Sequence, residues 1–387
     1  MKKLKHICIV IGSRANYSSI KSLLNEIKKD KFLRLQIVVG FSALLDKYGN
    51  ICEVIQKDGF KIDSYIYAHL DGDYSTMMAK TTGLGIIELS TAFERLKPDI
   101  VFTIGDRFET LATAISATYM NIPLAHTMGG EVSGNLDESV RHAVTKLAHL
   151  HFPASKESYN RIIKLGEVPE NICLSGCPRI DLVKKIIDSN KFQINKKEIN
   201  SGVGDQIDLK KEFLLVLFHP VTSENQEVTK QMDIILECIS EFSLQSIVLW
   251  PNADFGTNKV AKSIRKFREK GGKNGMRFFK NFKFEEYIKI LKKTKCLVGN
   301  SSSGIRDCGF IGTPVVNIGS RQNSREQGDN VLNVEFEKSK IVKAISFQLK
   351  KDKYKRNNIY GNGDAAKKIV NFLKNVKNIS VQKKLMY

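Results

Sequence analysis

Cysteine is sparse and unpaired in pattern. Seven residues stand at positions 8, 52, 173, 177, 238, 296 and 308, an odd number with no CxxC spacing among them. This excludes a zinc ribbon and a disulfide framework, so no metal is expected. Long hydrophobic runs are missing as well: nothing approaches the ~20 apolar residues a membrane span requires. The first residues, "MKKLKHICIVIGSR", have a basic start, but their apolar run is confined to Ile7–Ile11. That is too short for a signal sequence and lacks a small-residue cleavage site, so it reads as a first buried strand of a cytoplasmic protein with no membrane partner. Acids are outnumbered, 41 against 61 Lys and Arg, for a net charge of +20. Such a balance invites a nucleic-acid partner. The lysines, however, are spread over predicted helix faces (Lys262, Lys266, Lys270, Lys273) with acids interspersed, and no nucleic-acid motif accompanies them. Solvated surface is the expectation, and no nucleic acid is expected to bind. A short internal repeat and a GxGxxG fingerprint are also absent, and without the latter a dinucleotide is not indicated.

What the chain does have is alternation. Apolar runs at Ile7–Ile11, Leu35–Val39, Asp99–Ile104, Pro123–Thr127 and His149–Pro153 are separated by helical patterns such as Ser18–Lys29, Ser75–Leu96 and Phe108–Met120. A second series runs through Phe213–Phe218, Ser246–Trp250, Met276–Phe279, Cys296–Val298 and Pro314–Ile318, with helices over Thr229–Phe242, Lys259–Lys270 and Phe284–Lys293. Strands alternating with helices predict parallel sheets covered on both faces. At 387 residues one core is exceeded, so the expectation is α/β: two doubly wound, Rossmann-like domains facing a cleft, 1–177 and 178–363. Polar sequence over 195–211 reads as a surface insertion. A helix and tail over 364–387 are placed to pack back across the seam.

Doubly wound sheets bind ligands at the carboxyl ends of their strands, and polar residues stand there after almost every run. After the first comes "GSRANYS", in which Ser18 is suited to cap the next helix and Arg14 to contact a phosphate. "GDRFET" places Asp106 and Arg107 after a buried strand. "HTMGGEVSGNLDESVRH" follows the next, with Glu131, Asp137 and Glu138. An acid opening a helix is also a conventional N-cap, so one of these carboxylates has a purely structural explanation; two carboxylate loops on adjacent strands point to acid–base work. In the second series, "FHPVTS" carries His219 and "WPNADFG" carries Asn252. Phe282 is suited either to lie against a flat base or simply to pack. "VGNSSSGIRDCGFIGTPVVNIGSRQNSRE" opens a helix with Ser301 and Ser302 and continues to Arg321, a hydroxyl, N–H and guanidinium set suited to a diphosphate.

Taken in order, "SRANYS", "GDRFE", "GGEVSGNLDESVRHAVTKLAHLHF", "GCPRID", "FHPVTS", "PNADFG", "GNSSSGIRD", "GTPVVNIGSRQNSRE" and "IYGNGDAAKKI" resemble the hydrolysing UDP-N-acetylglucosamine 2-epimerases of sialic-acid biosynthesis across nearly the whole chain. The resemblance implies a GT-B-like pair of domains, with the sugar and the acid–base groups on the first and UDP on the second. It implies anti elimination of UDP from UDP-N-acetylglucosamine to a 2-acetamidoglucal, then hydration to N-acetylmannosamine, with no cofactor. The acid–base set falls on Asp106, Asp137, Glu138 and Glu131. UDP contacts fall on Arg14, Ser18, Arg107, His219, Asn252, Ser301, Ser302 and Arg321, and Asp307 stands where the family often uses a glutamate to hold ribose hydroxyls. A homo-oligomer is expected from the family. Three departures stand out. Met128 occupies the place of a catalytic glutamate, Asn16 that of an aspartate, and Glu138 that of the second aspartate of a pair. An apolar residue at 128 suits a deoxy sugar, as in relatives acting on UDP-2,4-diacetamido-2,4,6-trideoxyglucose on the way to legionaminic acid. A GT-B glycosyltransferase would share the fold and the diphosphate site.

Overall fold

A computed structural model describes residues 4–46, 51–70, 75–134, 136–189, 193–221, 224, 226–251, 256–272, 275–377, 379–384 and 386. The chain divides into two compact units. The first is Met1–Val132, Leu136–Leu182 and Tyr360–Tyr387; the second is Ser133–Asn135 and Val183–Ile359.

The first unit is built on six strands: β1 (Lys5–Ile11), β2 (Leu33–Gly40), β3 (Ser64–Ile66), β4 (Ile100–Ile104), β5 (Leu124–Thr127) and β6 (Leu150–Phe152). All pairings are parallel and the order is β3-β2-β1-β4-β5-β6. Burial explains the composition. β4, β5 and β6 are buried at every position, because helices cover both faces and leave no side for polar residues. The helices are α1 (Arg14–Lys29), α2 (Ile51–Lys57), α3 (Ser75–Leu96), α4 (Phe108–Tyr119), α5 (Asp137–Leu147), α6 (Lys156–Lys164) and α7 (Pro178–Ile187), the last carrying the chain onward. Phe41, Leu89, Phe93 and Val101 lie in the core that α3 and α4 close over the sheet.

The second unit repeats the plan with β7 (Val203–Gly204), β8 (Phe213–Leu217), β9 (Gln245–Leu249), β10 (Met276–Phe279), β11 (Cys296–Gly299), β12 (Val315–Ile318) and β13 (Val331–Val334). Their order is β13-β12-β11-β8-β9-β10-β7, parallel except for β7, which pairs antiparallel with β10. Its helices are α8 (Lys196–Asn200), α9 (Val228–Ser240), α10 (Thr257–Glu269), α11 (Phe284–Lys293), α12 (Ser302–Ile305), α13 (Asp307–Ile311) and α14 (Lys338–Leu349). The stretch expected to be a plain insertion at 195–211 thus holds a short helix and an edge strand.

α15 (Ala365–Asn375) packs on α1 of the first unit. Its first N–H groups have no partner within the helix, and Asp181 of α7 supplies one oxygen to Ala365 (2.9 Å) and the other to Ala366 (2.8 Å). Burial pushes the Asp181 carboxyl up to about 6, against the pull of these two bonds.

Candidate active site

The strand order reverses between β1 and β4 in the first sheet and between β8 and β11 in the second; Arg14, Asp106 and Arg107 follow the first pair, and His219, Ser301 and Ser302 the second. After β1, Ser13 is the residue that caps α1, its hydroxyl accepting from the Asn16 N–H. This corrects the expectation for Ser18, which lies inside the helix, donates to Ala15 O (3.0 Å) and accepts from Arg179 (2.9 Å). Asn16 returns its side-chain oxygen to the Gly12 N–H (3.2 Å), work an amide does as well as a carboxylate. Arg14 begins α1 and is partly exposed.

After β4, Asp106 is gripped by Arg141 from α5. The guanidinium is buried to 1% exposure and donates through one nitrogen to the Asp106 carboxylate and through the other to the Glu131 carbonyl (2.8 Å). One side chain therefore fastens the β4 loop to the β5 loop. The neighbouring Arg107 pairs with Glu109 (2.9 Å), whose own side chain is buried against Gly12. Sequence reasoning missed both Arg141 and Glu109 as organisers, although each was within a quoted motif.

Helix geometry separates the two acids that open α5. Its N-cap is Leu136, with no side-chain cap, so neither acid serves as the N-cap. Residues four apart share a face. Asp137 therefore lies on the face of Arg141, the face directed at Asp106. Glu138 lies with His142, 3.7 Å from it.

The double glycine is explained by packing. A Cβ on Gly129 would lie 2.8 Å from His126 Nδ1, and Gly130 has φ +74° with the Ser158 carbonyl 2.4 Å from where its Cβ would be. His126 is fully buried and its Nε2 faces the Gly105 carbonyl at 2.7 Å, so that nitrogen carries the proton. Burial pushes its pKa down to about 3, and the ring stays neutral. Met128 is held in the left-handed region (φ +63°), its N–H bonded to Phe152 O (3.1 Å) and its Sδ 3.7 Å from the Cys177 thiol. The side chain, 7% exposed, is packed sulfur against sulfur.

In the second unit Asn300 is the organiser. Its Oδ1 accepts from the His219 N–H (2.7 Å) and its Nδ2 donates to the His219 carbonyl (2.8 Å), tying β8 to β11 at the switch point. Its own carbonyl accepts from Arg321 (3.3 Å) and Gln322 (2.9 Å) after β12. Gly299 before it has φ +143°, with the Leu217 carbonyl 2.0 Å from any Cβ. Ser301 caps α12 by accepting from Ser303 N–H, and Ser302 is its first residue, partly exposed. Asp307 is fully buried and accepts from the Ser303 hydroxyl (2.6 Å), which accepts from Tyr287 (2.9 Å). Phe282, 4% exposed, lies 4.5 Å from the Phe279 ring. Asn252 lies outside the described residues. Among the described residues no group of His, Cys, Asp or Glu is arranged to hold a metal, and no helix is long and apolar enough to cross a membrane.

The chain matches the UDP-N-acetylglucosamine 2-epimerase family over residues 25–374. It is 34% identical to the UDP-N,N'-diacetylbacillosamine 2-epimerase (hydrolyzing) of Legionella pneumophila over 96% of both chains. It is 33% identical to the GDP/UDP-N,N'-diacetylbacillosamine 2-epimerase (hydrolyzing) of Campylobacter jejuni over 87% of this chain and 85% of that one. Among solved structures, the UDP-GlcNAc 2-epimerase of Neisseria meningitidis bound to UDP-GlcNAc superposes with a TM-score of 0.80 at 19% identity, covering 95% of this chain and 99% of that one; it shares the two-Rossmann, GT-B-like fold. With the match running through the strand-end motifs of both units, the chain belongs to the UDP-N-acetylglucosamine 2-epimerase family.

Proposed function

We propose that the protein is a hydrolysing UDP-sugar 2-epimerase, and that its sugar is 2,4-diacetamido-2,4,6-trideoxyglucose in preference to N-acetylglucosamine. The observation that carries the reaction is the Arg141 grip, which joins Asp106 to the Glu131 loop on the helix face shared by Asp137. In this reading a carboxylate of that set removes the proton from C2. The C–H electron pair becomes the C1–C2 double bond, and the C1–O bond breaks with its pair leaving on UDP. Water oxygen then adds to C1 and a proton is delivered to C2 from the opposite face. The sum is UDP-sugar plus water to the free 2-epimeric sugar plus UDP. Asp106 and Asp137 are the proposed acid–base pair, and Glu131 supplies the carboxylate that position 128 lacks. Glu138, paired with His142, is their neighbour. Arg14, Ser18, Arg107, His219, Ser301, Ser302 and Arg321 are proposed as UDP contacts, with Phe282 and Asp307 backing the nucleoside contacts.

The choice of sugar is supported by Met128 and by the two relatives just named. A thioether packed on a thiol moves no protons and offers an apolar wall, which suits a 6-deoxy sugar better than one with a 6-hydroxyl. The second reading, UDP-N-acetylglucosamine to N-acetylmannosamine for a sialic-acid-type route, is supported by the family match. Incubation in D2O with each UDP-sugar decides between them. Release of UDP with deuterium at C2 of the free 2-epimer is expected, faster for the diacetamido substrate. Recovery of the intact UDP-linked epimer would make the enzyme non-hydrolysing, and transfer to an acceptor without exchange at C2 would make it a glycosyltransferase. No UDP release from either sugar ends the proposal.

A further inference from the structure

The segment that follows α15, part of the same first unit, lies against the C-terminal end of α5. Lys383 Nζ donates to the Lys146 carbonyl (2.7 Å) and to the Ala148 carbonyl, in the last turn and at the C-cap of α5. Its third partner is Glu167 Oε2 at 2.6 Å. Glu167, 3% exposed, also takes Lys146 Nζ (2.6 Å) and faces His151 Nε2 (3.1 Å). Two more contacts hold the segment. Val381 O lies 2.9 Å from His149 Nε2, whose Nδ1 accepts from the Leu124 N–H, and Met386 N–H donates to Gly166 O (3.2 Å).

The last four carbonyls of a helix have no partner inside it, and a cation there also meets the negative end of the helix dipole. We propose that Lys383 is a positioning residue for the reaction: it closes the C-terminal end of α5 and thereby fixes the rotation and depth at which Asp137 and Arg141 are presented to Asp106. The proposal rests on the acid–base roles assigned above. α5 has 11 residues and is therefore about 16 Å long, so Lys383 touches no reacting group and acts only through the helix. The device is economical in contacts: Glu167 anchors Lys146 from the side of the helix, and Lys383 seals its end from below. Burial lowers the Lys383 pKa, and the hydrogen bond and charge of the Glu167 carboxylate oppose that shift.

The test uses the full chain with Lys383→Met and Lys383→Arg. Hydrogen exchange is followed in α5 and in β1–β2, and UDP release is measured alongside UDP affinity by calorimetry. Exchange in α5 alone is expected to speed up in Lys383→Met, with kcat falling by about tenfold and UDP affinity held within about twofold; Lys383→Arg, which keeps charge and donors, restores both. Unchanged exchange in α5, or faster exchange with unchanged kcat, overturns the proposal. So does a joint loss of kcat, UDP affinity and folding stability, which would make Lys383 a general tether. Should Lys383→Met fail to fold, Lys383→Gln takes its place. If the wild-type chain releases no UDP from any UDP-sugar, the assigned reaction falls, and exchange in α5 still decides whether Lys383 closes that helix.

Discussion

Arg141 holds Asp106 from within the core. Its guanidinium is buried, and the carboxylate it grips stands partly open at the end of β4. A buried cation with one charged and one carbonyl partner is a geometric device, because both bonds are lost if the fork changes shape. Arg141→Lys keeps the charge and cannot reach both acceptors. It is expected to lower kcat by roughly 10²-fold, with UDP affinity unchanged. Asp106→Asn should depress turnover by about 10²–10⁴-fold, and the double variant should lose less than the product of the two single losses, since the two changes share one pairing. Additive losses in steady-state UDP release would show that the two residues act separately.

Asn300 and His219 exchange two hydrogen bonds across the switch point of the second sheet. Asn300→Ala removes both side-chain bonds to the His219 backbone, while the Asn300 carbonyl that accepts from Arg321 and Gln322 is kept. Thermal unfolding should show a loss of about 2–4 kcal/mol, with UDP binding weakened at least as much. Asn300→Asp keeps the acceptor for the His219 N–H and loses the donor, so it should fall between alanine and wild type. An alanine variant with full UDP affinity would remove this pair from any account of the diphosphate site.

Gly130→Ala tests whether the double glycine answers to packing. The left-handed backbone and the Ser158 carbonyl 2.4 Å away both oppose a methyl group. A loss of about 2 kcal/mol or more in urea denaturation is expected. Gly129→Ala, whose nearest neighbours are the His126 ring and the Thr145 hydroxyl, should cost less. Equal or negligible losses would mean that the loop has room to move.

How much of this was legible beforehand follows from which signals are local. Strands such as Ile7–Ile11 and Phe213–Leu217 were readable because both faces are buried, which leaves an unbroken apolar run. β3, β7 and β13 were not. Each is short, and β7 and β13 are edge strands with exposed positions, so their pairing is set by neighbours rather than by their own pattern. Residue types at strand ends are what put forward Asp106, Asp137, Ser301 and Arg321 as candidates. The organisers stayed hidden because an arginine in a helix, a glutamate after an arginine and an asparagine before serines all look like surface. Only the fold reveals that Arg141, Glu109 and Asn300 are buried. The cap expected at Ser18 falls on Ser13 because the helix begins a turn earlier than the apolar pattern does.

Glu167 makes a final prediction about pH. Burial alone would raise its pKa, but the bonds from His151, Lys146 and Lys383 outweigh it and bring the carboxyl down to about 2, from an ordinary value of 4.5. The unfolded chain therefore takes up this proton near pH 4.5, whereas the folded chain resists until about pH 2. Between those values the unfolded state binds more protons, so the stabilisation is complete above about pH 4.5 and is lost as pH falls through about 2. His149 and His151, both pushed down by burial, favour unfolding in acid through the same linkage; Glu167 raises both, so its loss adds an acid-destabilising contribution that opposes the closing of the gap. Glu167→Gln keeps the shape and drops the charge. Its urea midpoint should lie well below that of wild type at pH 6, and the gap should close steadily between about pH 4.5 and pH 2. A gap that stayed constant over that range would assign the loss to packing, and the ion cluster at the base of α5 would then contribute nothing that depends on charge.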